Sequence, residues 1–139
     1  MSIVLDTSLT MAWLLPDEGS ARIDSLFDRL LAEGAFAPAH WKLDVANTLI
    51  VAERRGRIEV GFRAGALADL QDLPIAIDEE TAAHAWRATL DLAVRQQLTI
   101  YDAAYLELAL RKGASLGTLD KDRANAARAE QVIVLGDEA

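Results

Sequence analysis

The run IVLDTSLTMAWLLPDE, residues 3–18, passes directly from three apolar residues, Ile3, Val4 and Leu5, to a carboxylate, Asp6, and two hydroxyls, Thr7 and Ser8. A strand buried on both faces reads as a short unbroken apolar run, and residues 3–5 have that character. The charge that follows at once marks the strand's carboxyl end. Residues 9–15 then read as a short helix that Pro16 terminates.

Working outward, the same alternation recurs. Residues 20–33 place Ile23, Leu26, Phe27, Leu30 and Leu31 at helical spacing with Gly34 as the stop. Residues 35–38 fit a second strand, and 40–55 a longer helix closed by Gly56. Residues 59–72 read as a helix, 75–77 as a strand after Pro74, and 80–97 as one helix. A further helix is expected over 101–112, a fourth strand over 116–119, a helix over 121–130 and a last apolar run over 132–135. Brief apolar strands separated by helices signal a parallel sheet covered on both faces, so the fold class is α/β, a three-layer α/β/α domain. No repeat, low-complexity tract or linker divides the chain, and 139 residues with 52% hydrophobic content suit one domain over 1–139.

Composition narrows the chemistry. A formal net charge of −8 argues against a broad basic surface for duplex nucleic acid, so a polyanionic partner must be gripped locally. With no Cys and only two His, at 40 and 84, a zinc site is poorly supplied, and any metal is expected to be hard and oxygen-bound. The absence of cysteine fits the cytosol. No basic leader or bilayer-length apolar stretch is present, so neither export nor a membrane is expected.

In open parallel sheets ligands bind beyond the carboxyl ends of the strands. Asp6 follows the first strand, and Asp120, with Asp122 two residues on, follows the fourth in SLGTLDKD. The helix HWKLDVANTLIVAERRG carries Asp44 in its first turns with Asn47 and Thr48 on the same stripe, and Asp102 lies in the first turn of another helix in LTIYDAAYLELA. Each acid also has a local reading. Asp6 and Asp120 suit helix N-caps, Thr99 with Asp102 resembles a capping box, and Asp44 favours the positive end of its helix dipole. Four acids gathered at one sheet edge would repel one another unless a cation neutralised them, and Mg²⁺ or Mn²⁺ suits an oxygen-only set. Such a cation would polarise a phosphodiester and activate water.

VLDTS, APAHWKLDVANTL, TIYDAAYLELA and GTLDKD, in that order and spacing, resemble the pattern of PIN-domain ribonucleases, and within them the VapC-type toxins of bacterial type II toxin–antitoxin pairs. The resemblance spans essentially the whole chain. It implies a parallel five-stranded PIN fold, a Mg²⁺- or Mn²⁺-dependent endoribonuclease that cuts RNA with a metal-activated water, a homodimer, and inhibition by a cognate antitoxin. It puts Asp6, Asp44, Asp102 and Asp120 at the acidic metal and catalytic positions, Ser8 and Thr118 near the metal, and Asp122 as an extra acid. One departure stands out: the second acidic position is usually Glu, and here it is Asp44, one methylene shorter. A water-mediated contact is therefore an alternative to direct ligation there.

Arg54, Arg55 and Arg57 in AERRGRIE, with Arg63 beyond, form the densest basic cluster. They read either as a phosphate grip for RNA, led by Arg54 and Arg55, or as a solvated helix end. Trp13, Trp41 and Trp86 and the tyrosines flanking Asp102 read as packing, and His40 as a helix-start residue. Two rival functions share these features: a PIN-like domain that binds RNA or protein without cutting, and a metal-dependent phosphatase. The second is disfavoured because Asp6-Thr7-Ser8 lacks the second Asp that aspartyl-nucleophile phosphatases require.

Overall fold

A computed structural model of the protein describes residues 2–137. Five strands, β1 (Ile3–Leu5), β2 (Ala35–Ala37), β3 (Ile75–Ile77), β4 (Ser115–Thr118) and β5 (Val134–Gly136), form one sheet in the order β3-β2-β1-β4-β5. Every neighbouring pair is parallel. Eight helices link the strands among the described residues: α1 (Thr7–Leu14), α2 (Ala21–Glu33), α3 (Trp41–Arg54), α4 (Val60–Gln71), α5 (Thr81–His84), α6 (Ala88–Gln96), α7 (Ile100–Lys112) and α8 (Lys121–Ala129).

All positions of β1 and β4 are buried, which requires both faces of the sheet centre to be covered. The helices divide accordingly, α1 touching α2 and α3 on one side, and α7 touching α6 and α8 on the other. Val4, Leu5, Leu9, Leu49, Leu108 and Leu116 fill the two interfaces. At Gly117 an added Cβ would lie 2.8 Å from the Leu9 side chain, so the missing side chain is what lets α1 close onto β4.

The expected helix over 80–97 is two helices. A single helix would align Trp86 with Thr89 and Ala93, both buried. Instead the turn at 85–87 swings Trp86 out to 90% exposure. No Gly or Pro breaks the chain there, and nothing in the local sequence explains the turn. The remaining boundaries coincide with expectation or differ from it by at most two residues, as element ends ordinarily do.

From β1 the strand order runs one way through β2 to β3 and the other way through β4 to β5. The carboxyl ends of β1 and β4 therefore flank the point where the order reverses, the place where open parallel sheets bind ligands.

Candidate active site

Asp6 leaves β1 at this reversal point and is fully buried. Its Oδ1 caps α1, accepting from the Leu9 N–H at 2.9 Å and from the Ser8 hydroxyl at 2.7 Å. Its Oδ2 accepts from Arg123 Nη1 at 2.7 Å. Capping and site formation, rivals in the sequence, thus use different oxygens of one carboxylate.

Asp120 behaves alike across the gap. It is the N-cap of α8, with Oδ1 accepting from the Arg123 N–H at 2.9 Å, while its own N–H donates to Thr118 Oγ1 at 3.0 Å. The Ser8 hydroxyl accepts from the Leu119 N–H at 2.8 Å and lies 3.2 Å from Thr118 Oγ1. Ser8 and Thr118 therefore lock the loops after β1 and β4 together.

Asp102 sits in the first turn of α7, where its N–H donates to the Thr99 hydroxyl, and its carboxylate accepts from Arg123 Nη2 at 2.8 Å. One guanidinium so bridges Asp6 and Asp102, lying over the Tyr105 ring at 5.5 Å. Burial opposes the charge on Arg123, but the two carboxylates outweigh it and hold its pKa above the ordinary arginine value. Its Nε is buried without a hydrogen-bond partner among the described residues. Arg123 was not among the residues singled out in the sequence. The available signal was its place three residues after Asp120, on the first turn of a helix beginning at the crevice.

Asp44 takes part at one remove. Tyr105 donates its hydroxyl to Asp44 Oδ2 at 2.7 Å and lies 3.0 Å from Thr7 Oγ1. Burial pushes the Tyr105 phenol up and the Asp44 carboxylate adds to this, while the Thr7 hydroxyl partly offsets it. The phenol therefore stays protonated and serves as a donor to Asp44. His40 Nε2 donates to the Tyr101 carbonyl at 3.0 Å, with Asp44 at 3.5 Å, tying the start of α3 to that of α7.

A hollow of about 500 Å³ opens here, lined among others by Thr7, Ser8, Thr48, Arg55, Asp120 and Arg123. Arg55 is exposed on its rim and has no ion pair among the described residues, and the same holds for Arg54, which does not line the hollow. Arg57 pairs with Asp17 and Glu18, and Arg63 with Glu53. Asn47 is exposed outside the hollow, where its neighbour Thr48 stands instead, and Asp122 lies in a separate hollow with Gln97 and Asn125.

Among the described residues no three acidic or histidine side chains are gathered into a metal cage. The donor chemistry nevertheless fits a hard cation. Asp6 and Asp102 face a single point from two elements, that point already holds a positive group, and Asp120 Oδ2 has no protein partner among the described residues.

The PIN domain pattern matches residues 3–129. The protein named Ribonuclease VapC3 from Pyrobaculum aerophilum is 29% identical over 124 residues, 89% of this chain and 93% of that one. One of the same name from Mycobacterium tuberculosis is 30% identical over 126 residues, 89% of this chain and 86% of that one. The solved VapBC2 of Rickettsia felis, bound to a DNA fragment from its promoter, superposes with a TM-score of 0.65 at 11% identity, covering 96% of this chain and 97% of that one. The parallel five-stranded fold, the matched pattern and these relatives agree, and the chain belongs to the PIN domain family, with VapC ribonucleases among its relatives.

Proposed function

We propose that the chain is a Mg²⁺- or Mn²⁺-dependent endoribonuclease, the toxin of a toxin–antitoxin pair. The observation that carries this reading is the convergence of Asp6 and Asp102 on one cation position at the β1/β4 reversal point, with Asp120 beside it. When bound, a divalent cation supplies Lewis-acid polarisation of a phosphodiester and a nucleophilic water at neutral pH. Asp6 and Asp102 are the residues that would hold it, with Asp120 completing the set.

The chain's other groups position the substrate and the acids. Arg55, unpaired on the rim, is placed to grip an RNA phosphate beside the carboxylates, the local basic contact an acidic protein needs. Tyr105 fixes Asp44 from inside, which suits Asp44 to orient a water rather than to enter the cation position directly. Ser8 and Thr118 hold Asp6 and Asp120 at fixed separation.

The partners follow from the same reading. VapBC2 is a two-component assembly, which supports a cognate antitoxin here, and exposed Leu43, Trp86 and Val94 offer apolar area for it or for a homodimer. Among the described residues no helix is long and apolar enough to cross a membrane, in keeping with action on cytosolic RNA.

The occupation of the cation position by Arg123 favours a second reading, a PIN domain that binds RNA without cutting it. Incubating the purified chain with RNA and Mn²⁺, with and without chelator, separates the two. Internal cuts that chelator abolishes are expected. RNA retained but intact would establish the binding reading, and turnover of a phosphomonoester instead would mark a phosphatase.

A further inference from the structure

The guanidinium of Arg123 stands where the acids converge, and its fit there is incomplete. Nη1 and Nη2 each reach a carboxylate, yet Nε is buried without a partner among the described residues, an arrangement that forfeits a hydrogen bond the group would make in water. The side chain retains 15% of its exposure and borders the 500 Å³ hollow, so it has somewhere to go. Its backbone N–H is held by the Asp120 cap independently of the guanidinium, so the side chain is able to rotate away while α8 stays in place.

These features differ from those of the chain's other buried arginine cluster. Arg111 donates from Nε, Nη1 and Nη2 to Asp78 and Glu107, with no nitrogen left over and no catalytic crevice beside it. Arg111 is built as a permanent link, whereas Arg123 is built as an occupant.

We propose that Arg123 is an internal stand-in for the divalent cation. It pairs with both Asp6 and Asp102 in the resting protein, offsetting half their charge, and must release both before a metal ion binds, so its occupancy sets the chain's affinity for metal. The proposal rests on the metal-dependent reading above. Two consequences follow. The acidic crevice stays folded without metal because the guanidinium relieves the repulsion between Asp6 and Asp102, and a binding-competent state that is only a small fraction of the population weakens apparent affinity by that fraction.

The test is calorimetric titration of Mn²⁺ into the full chain, wild type and Arg123→Met, together with nitrogen-detected NMR of the Arg123 guanidinium in the wild type as Mg²⁺ is added. Arg123→Met is expected to bind Mn²⁺ about tenfold or more tightly than wild type. In the wild type, saturating Mg²⁺ is expected to shift the Arg123 guanidinium signals and speed their exchange with water. Equal affinity in the two proteins, or weaker binding by the variant, would overturn the proposal and leave the metal-dependent reading standing. A tighter variant with unmoved wild-type signals would show that Arg123 acts only as a fixed neighbouring charge, and overturns displacement. If neither protein binds Mn²⁺, both the proposal and the reading beneath it fail. Should Arg123→Met not fold, the wild-type NMR result decides alone.

Discussion

Asp102 carries two bonds of different kinds, its N–H to the Thr99 hydroxyl and its carboxylate to Arg123. From sequence, the acids at this edge should repel one another without a metal, and removing one should then stabilise the protein. The guanidinium reverses that expectation for Asp102, because Asp102 and Asp6 share it as a counter-ion and the swap removes one of its two partners. Asp102→Asn in chelator should lower stability, by about 0.5–1 kcal/mol because the carboxylate is 30% exposed and its ion pair partly screened. Differential scanning calorimetry in chelator should show a lower Tm, and an unchanged or raised Tm would mean that the pair does not neutralise the site. The acids were legible in the sequence because Asp at strand ends and helix starts is conspicuous. Arg123 was not, since an arginine in the first turn of an otherwise polar helix looks like surface until its partners are placed 21 and 117 residues away.

At the scale of the element, short apolar runs were enough to find every strand, and residues 75–77 match in full. These strands are only three or four residues long; β1, β2 and β3 are apolar throughout and edged by Asp, Gly or Pro, whereas β4 is the mixed run Ser-Leu-Gly-Thr, buried all the same. Helices ended by Gly or Pro were equally readable, as at Gly34 and Gly113. The break between α5 and α6 was invisible because it is made by a turn of Ala, Trp and Arg, residues that helices accept. Strand order was also out of reach. It is decided by which faces pack together, and it is what makes Asp6 and Asp120 neighbours rather than merely two acids at strand ends.

Over the whole molecule, a second arginine cluster lies apart from the crevice and ties β3 to α7. Arg111 binds Asp78 just after β3 and Glu107 within α7, and both acids are buried. The Arg111 guanidinium, helped by the Thr81 hydroxyl and the Glu80 N–H, holds the Asp78 carboxyl down to about 2, below its ordinary 3.8. The folded state thus binds its proton more weakly than the unfolded chain. This contribution, about 2 kcal/mol, is complete above about pH 4 and lost as pH falls towards 2. Arg111→Met leaves two buried carboxylates unpaired and should cost about 3–5 kcal/mol at pH 7. The gap from wild type should narrow at pH 3, where the orphaned acids are protonated. Urea unfolding at the two pH values checks this, and a gap that does not change with pH would refute the assignment.

The proposed function puts RNA cleavage at the β1/β4 reversal point, at the acids gathered around Arg123. Its most direct test is the cleavage rate of one end-labelled RNA in Mn²⁺ by wild type, Asp102→Asn and Asp122→Asn, each compared at equal folded fraction. Asp102→Asn should lose about 100-fold or more, while Asp122→Asn, in its separate hollow, should cut at the wild-type rate. Undiminished cleavage by Asp102→Asn, or equal losses in both variants, would contradict the placement of the active site.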